Sequence, residues 1–112
     1  MKTKKKKKLT PAQYALKAAK FLETHKWIKG EEALDKEGGS CLPRSKEAAS
    51  FCVIGALKAV GATSNIIQKI DKNMPGNDND YGEYISLVEY NDQIATRKSQ
   101  VINKLRKIAE IL

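Results

Sequence analysis

The sequence predicts an all-α fold: a small single-domain bundle of four to five helices around a central apolar helix at about residues 46–60. Three observations support this fold class. Apolar residues recur at helical spacing in several segments, most of these segments begin at a residue that favours helix N-caps, and one segment is apolar on every side. A chain of 112 residues also has the length of one domain.

The first helix is expected at about 11–26. Thr10 is its N-cap, Pro11 takes the first helical position, and Gln13 stands three residues after the cap, which is the pattern of a capping box. The apolar residues that follow at helical spacing are Tyr14, Ala15, Ala18, Ala19 and Leu22. Gly30 ends the element.

A polar loop with several glycines is expected at 30–44. The central helix follows at about 46–60, with Ser45 as its N-cap and Gly61 at its C-terminal cap. A helix with no polar face belongs at the centre of a fold. Gly55 costs such a helix about 1 kcal/mol relative to alanine, which indicates that a neighbouring helix packs closely there.

Three further elements complete the predicted fold. A short helix begins at Thr63 or Ser64, and a polar loop follows at 72–80. A fourth helix is favoured at 81–88, although the aromatic and β-branched composition there leaves a strand as the alternative. The last helix carries one apolar stripe, formed by Val101, Ile102, Leu105, Ile108, Ala109 and Leu112.

The positive charge of the chain is concentrated at its N-terminus. The net charge is +8, and six of the cations are Lys2, Lys4, Lys5, Lys6, Lys7 and Lys8. Without them, fifteen basic and thirteen acidic residues remain. A block of like charges repels itself and buries little, so we divide the chain into a flexible lysine-rich arm at 1–9 and a helical domain at 10–112.

The composition predicts a soluble, cytoplasmic protein with no membrane partner. No apolar run approaches the roughly 20 residues of a membrane span, and the initial lysines are not followed by the apolar stretch of a signal peptide. Cys41 and Cys52 are too few for a disulfide scaffold. We expect both to be reduced thiols, as is usual in a cytosol.

Three motifs resemble those of a family of small, uncharacterised bacterial and phage proteins. They are Trp27-x-x-Gly30, Cys52-x-x-Gly55-Ala56-Leu57, and Tyr90-Asn91-Asp92 followed by Val101, Leu105 and Ala109. The similarity spans roughly 27–109, and Thr96-Arg97 stands where the family pattern has Arg-Thr. The resemblance implies a phage or bacterial source and assigns no activity. The motif residues whose role it leaves open are Trp27, Gly30, Cys52, Gly55, Asn91 and Asp92.

The reactive side chains do not suggest an enzyme, a cofactor or a metal site. One histidine, His25, and two distant cysteines cannot supply the four closely spaced ligands of structural zinc. Cys52 is expected inside an apolar helix, where burial makes a thiol unreactive. The segment that begins at Asp71 matches a calcium loop only in part, because Pro75 and Gly82 stand where oxygen ligands are needed.

Two polar clusters leave alternatives open. Arg44, Ser45 and Lys46 lead into a helix N-terminus, which is a possible anion site, but a flexible loop capped by serine accounts for the same residues. Asn91 and Asp92 precede the last helix, and capping of that helix is favoured. The alternative for this pair is a polar site at the edge of a pocket.

The lysine arm suggests a function. Lysines neutralise phosphates and release counterions, which gives salt-sensitive binding without sequence preference. We therefore expect a small non-enzymatic accessory protein, of phage or bacterial origin, that binds nucleic acid through its arm. A solubilising tail would account for the same lysines. The alternative function is a protein-binding module, such as a phage inhibitor of a host or defence protein, whose helical body forms the contact surface.

Overall fold

The computed structural model describes residues 9–74 and 85–112. These residues form five helices and a three-stranded mixed sheet, so the fold is α/β and the prediction of an all-α helical bundle is wrong. In chain order the elements are α1 (Pro11–Glu23), β1 (Lys26–Trp27), β2 (Ala33–Asp35), β3 (Ala48–Phe51), α2 (Val53–Ala59), α3 (Ser64–Lys72), α4 (Leu87–Glu89), which continues into a π-helical turn (Tyr90–Ile94), and α5 (Lys98–Ile111).

The central strand of the sheet is β3. On one side β1 pairs with it in parallel, with Lys26 opposite Ser50 and Trp27 opposite Phe51. On the other side β2 is antiparallel, with Leu34 opposite Ser50. Because side chains alternate between the faces of a sheet, Trp27 and Phe51 share one face, and Lys26, Ser50 and Leu34 share the other.

The predicted central helix at 46–60 is wrong in its first half, because β3 lies there and α2 begins only at Val53. Ser45 does not cap a helix. Its hydroxyl accepts from the backbone N–H of Glu47 at 3.1 Å, and its carbonyl accepts from that of Ala48 at 3.2 Å, which forms a turn. Hydrogen bonds to strands on both sides then hold β3 extended, and such tertiary pairing overrides a weak local preference.

Several other elements agree with the sequence. The capping box of α1 is present, with Thr10 and Gln13 bonded to each other at 2.8 and 3.1 Å, although α1 ends at Glu23 rather than near residue 26. The predictions of α3, with Thr63 as its N-cap, and of the last helix are confirmed. The segment predicted as the 30–44 loop contains β2.

Some predicted features lie outside the described residues. These are the lysine arm up to residue 8, most of the loop at 72–80, and residues 81–84 of the fourth helix. In the described part of that helix, Ser86 caps α4 by accepting from the backbone N–H of Glu89 at 3.1 Å. Among the described residues, no helix is both long enough and apolar enough to cross a bilayer.

The core lies between α1, α2, α3 and α5 and extends to one face of the sheet. The Phe21 ring of α1 packs edge-on against Phe51 of β3, with ring centroids 4.8 Å apart. The largest fully buried side chains are Leu22, Val53, Leu57, Ile70, Leu87, Asn91, Val101, Leu105 and Ile108. Among these, Asn91 is polar, and it marks the point where the three sequence motifs meet.

Candidate functional site

The side chain of Asn91 joins three segments that are distant in the chain. It is 1% exposed. Its Oδ1 accepts from the indole N–H of Trp27 at 2.6 Å and from the backbone N–H of Val53 at 3.0 Å. Its Nδ2 donates to the carbonyl of Ile28 at 3.1 Å and to Oδ1 of Asp92 at 2.8 Å. The amide thus uses two donors and accepts two bonds, which is its full capacity.

The π-helical turn carries Asn91 into this position. The backbone N–H of Ala95 donates to the carbonyl of Tyr90 at 2.8 Å, five residues earlier, which is the wider spacing of a π-turn. The prediction that Asn91 and Asp92 cap the last helix is wrong. Asn91 caps α2 instead, and the side chain of Gln100 accepts from the backbone N–H groups that precede α5.

Asp92 fixes the turn after β1. Its Oδ1 accepts from the backbone N–H of Gly30 at 3.0 Å. Gly30 has φ +85°, a conformation that residues with a side chain rarely adopt. Asp92 also lines a cavity of about 140 Å³ together with Cys52 and Val88. The alternative of a polar site at a pocket edge therefore fits Asp92 and does not fit the buried Asn91.

The motif around Cys52 and Gly55 positions the segment before β2. The carbonyl of Glu32 accepts from the backbone N–H of Cys52 at 3.1 Å. A Cβ placed on Gly55 would lie 1.8 Å from that carbonyl oxygen. Gly55 is therefore needed for a close approach, as the sequence suggests, but the neighbour is the backbone of an extended segment and not a helix.

The two thiols differ in exposure. Cys52 is buried and Cys41 is half-buried. Burial, opposed by a backbone hydrogen bond from Gly55, raises the pKa of the Cys52 thiol. Partial burial together with the carboxylates of Asp35 and Glu47 raises the pKa of Cys41. The structure thus places Cys52 as the N-cap of α2, with its sulfur 3.4 Å from the backbone nitrogen of Gly55.

We expect a thiol reagent to modify one cysteine per native chain. Cys41 should react first, and its reaction should accelerate as the pH rises towards its raised pKa, because the thiolate is the nucleophile. Cys52 should react only as the chain unfolds. Mass spectrometry after timed labelling measures both rates, and Cys41→Ser is the control that should leave almost no native reactivity. Equal rates for the two thiols would contradict the burial of Cys52.

The structure does not assemble the anion site predicted at Arg44, Ser45 and Lys46. No helix begins there, so the free N–H groups of a helix N-terminus are missing. Arg44 lines a depression of about 340 Å³ beside the start of α3. Lys46 lines a different one, of about 300 Å³, beside Glu37.

His25 belongs to the aromatic cluster of the core. Its ring stacks on Phe21 with centroids 3.8 Å apart and meets the edge of Phe51 at 5.5 Å. Its Nδ1 lies 2.7 Å from the carbonyl of Phe21. Within the described ranges, no group of three or more His, Cys, Asp and Glu side chains is arranged to hold a metal ion.

A groove of about 840 Å³ lies on the sheet face that carries Lys26, Ser50 and Leu34. Ser50 is buried and Leu34 is half-buried, so they form its floor. Lys26 and Lys36 are exposed at its rim, and Lys98 reaches it from α5. Its volume is within the range of sites for small molecules, about 300–1,000 Å³.

The charge of this groove is positive. Among the described residues, neither Lys26 nor Lys36 has a carboxylate within 4.0 Å. The Lys98 ammonium donates to the backbone carbonyl of His25 at 3.0 Å. Asp35 also lines the groove, but its Oδ1 accepts from two backbone N–H groups of its own turn, at 2.9 and 2.8 Å.

The sequence motifs do not predict the groove. One motif residue, Trp27, borders it, and the indole of Trp27 bonds to Asn91, where the three motifs meet. The sequence predicts a helix at Ser50, the end of a helix at Lys26 and a loop at Lys36. Only the pairing of β1, β2 and β3 brings them together. A strand of four residues, Ala48–Phe51, gives no alternating pattern long enough to be recognised.

Comparison with known proteins places the chain in a family without assigning an activity. Residues 6–111 match the Family of unknown function (DUF6197). The predicted resemblance to an uncharacterised family is therefore confirmed, and the match also covers α1 and the last three lysines of the arm. No curated protein and no solved structure matches the chain.

Proposed function

We propose that this chain, which belongs to the Family of unknown function (DUF6197), is a small non-enzymatic accessory protein that binds nucleic acid through its lysine arm. The observation that carries the proposal is the six lysines among the first eight residues. Such a segment neutralises phosphates without reading bases. The protein would act in the cytoplasm of a bacterial cell or of a phage-infected host.

The net charge of the chain supports the same partner. It is +8, and outside the six arm lysines fifteen basic and thirteen acidic residues remain, so most of the charge belongs to the arm. A concentration of positive charge attracts a polyanion over several ångströms and raises its association rate at low salt.

Glutamine in place of all six arm lysines tests the proposal. For the unchanged chain, log affinity for duplex DNA should fall linearly with log salt, with a slope no steeper than about −5, since each phosphate contributes about −0.9. The glutamine variant should lose most of this binding. Its melting temperature should stay nearly the same, because glutamine is polar like lysine and the change removes only charge.

The control exchanges two exposed lysines of α3, Lys69→Gln with Lys72→Gln, and should change binding little. Fluorescence anisotropy with labelled DNA at several salt concentrations measures all three proteins. A glutamine variant that binds as well as the parent would refute the proposal. So would an intact chain that does not bind near about 50 mM salt, where phosphate contacts are strong.

A protein-binding module, such as an inhibitor of a host or defence protein, is the second candidate. It is favoured by the exposure of large apolar side chains, of which Leu42 is 75% exposed in the loop before Arg44. Burial of such a side chain against a partner protein would be favourable. Retained biological activity after deletion of residues 1–8, together with loss of activity in Leu42→Asp, would favour this function over the first.

A further inference from the structure

We infer that the groove on the sheet seats one nucleotide of a single-stranded nucleic acid, with the Ser50 hydroxyl bonded to the base and the rim lysines bonded to phosphates. This inference rests on the proposed function and deepens it. The lysine arm alone would give no preference between duplex and single strand beyond charge density. The groove would add a preference for single strands.

The first observation is the hydroxyl of Ser50. Ser50 is 7% exposed and lines the groove. Its hydroxyl makes no hydrogen bond within the described part of the chain, although its backbone is paired in the centre of the sheet. A buried polar group without a partner is unfavourable, and native structures contain few of them. A ligand atom in the groove would supply the missing partner.

The second observation is the arrangement of charge around that hydroxyl. Lys26, Lys36 and Lys98 line the same groove. The two rim lysines have no carboxylate partner among the described residues. The one carboxylate of the groove, on Asp35, is bonded to backbone N–H groups. The site is therefore complementary to an anion, and phosphate groups that flank a base would reach the lysines.

The third observation is the apolar lining between these polar groups. Ile28, Leu34 and Ala49 line the groove, and Ile28 and Leu34 are half-buried. An apolar lining next to one hydroxyl and several cations suits a flat base attached to a charged backbone. A base in a duplex is paired and stacked, so it could enter the groove only after flipping out of the helix. Single strands present their bases without that cost.

The chain carries its own reporter of this site. Trp27 is the single tryptophan of the sequence and borders the groove, although its ring lies on the opposite face of β1 from Lys26. Its indole N–H is fixed by Asn91, so its position is defined. A ligand that enters the groove would contact the strand β1 that carries Trp27 and should change its fluorescence indirectly, whereas a ligand bound by the arm alone should change it little.

The experiment titrates oligothymidylate of twelve nucleotides into the full chain, with a twelve-base-pair duplex as the second probe. We expect the single strand to change Trp27 fluorescence with the same midpoint as anisotropy, and the duplex to bind without this change. Ser50→Ala should weaken single-strand binding several-fold. Its melting temperature should be equal to or above that of the parent, because the variant removes an unsatisfied buried hydroxyl.

Charge variants test the rim. Lys26→Gln with Lys36→Gln should lower single-strand affinity and reduce the salt slope by about 1.4, since each phosphate contact of a single strand contributes about −0.7. The matched control is Lys69→Gln with Lys72→Gln on α3, which removes the same charge outside the groove. Equal losses from the two pairs would overturn the inference and leave only a general effect of net charge.

Other outcomes also overturn it. Unchanged affinity in Ser50→Ala, an equal fluorescence change with the duplex, or tighter groove binding by hexaglutamate, an acidic peptide, would exclude a seated nucleotide. The proposals for the arm and for the groove can be refuted separately. If glutamine in the arm leaves binding intact while the groove variants weaken it, the proposed function of the arm fails and the groove remains a nucleotide site. If only the arm variant weakens binding, the inference about the groove is refuted and the proposed function of the arm stands.

Discussion

Alanine at position 55 should destabilise the protein by at least about 3 kcal/mol, near the upper end of the usual overpacking penalty. The added Cβ would lie 1.8 Å from the carbonyl oxygen of Glu32, and backbone cannot give way as the end of a side chain can. That carbonyl also accepts from the backbone N–H of Cys52, so moving it would break the bond that joins the β2 segment to α2. Gly55→Leu should be worse.

Whether Gly55→Ala lowers or raises the free energy of unfolding distinguishes a packing effect from an effect of helix propensity. Alanine favours a helix by about 1 kcal/mol over glycine, so a site without the close contact would gain stability from Gly55→Ala. Gly39→Ala is the control, because its new Cβ would meet a side-chain oxygen of Asp35 at 3.0 Å. Its loss should be below about 1 kcal/mol. Urea unfolding of both variants measures the difference, and a stable Gly55→Ala would refute the contact.

Asn91→Ala should cost at least about 3 kcal/mol. It leaves three groups without this partner, of which the backbone N–H of Val53 is buried and the indole N–H of Trp27 and the carbonyl of Ile28 are half-buried. Each unsatisfied buried group costs about 1–3 kcal/mol. The melting temperature should therefore fall by about 10 °C or more. A change below 1 kcal/mol would show that the junction is not needed for the fold.

The variant Asn91→Asp separates the donor side of the amide from the acceptor side. The new carboxylate could still accept from Trp27 and Val53, but it would face the carbonyl of Ile28 and the carboxylate of Asp92. The carbonyl and the Asp92 carboxylate both disfavour a negative charge at position 91, so the pKa of the new carboxyl group should be raised in the folded state. The folded state then binds more protons, and stability should increase as the pH falls from 7 towards 4. A pH dependence equal to that of the parent would contradict this geometry.

The helices that sequence could predict are those with local signals. Thr10, Gln13 and Thr63 form their capping bonds within one turn of the residues that they cap, so a short window of sequence contains the evidence. The sheet has no such signals. The strand Ala48–Phe51 has little intrinsic strand preference and is held by partners up to 24 residues away. Its extended conformation is a property of the assembled fold.

In the candidate site, too, the sequence identifies residues but does not indicate which distant residues they contact. The resemblance to a known family identified Trp27, Gly30, Cys52, Gly55, Asn91 and Asp92 without giving them a role, and the structure brings them together around one amide. A residue that caps a helix is normally expected directly before or after that helix in the sequence. Asn91 caps a helix that begins 38 residues before it, and no rule of local spacing could indicate that pairing.

The long reach of the Asn91 amide also has a consequence for folding kinetics. Its bonds to Trp27 and Ile28 close loops of more than sixty residues, and the entropy of such a closure must be lost before the bonds form. Contacts of this sequence separation slow folding relative to a bundle of local helices. The antiparallel pair of β2 and β3 and the helix α1 can form early from nearby residues. The indole of Trp27 and the first turn of α2 acquire their partner only when Asn91 reaches the junction. The junction should therefore contribute more to the unfolding rate than to the folding rate.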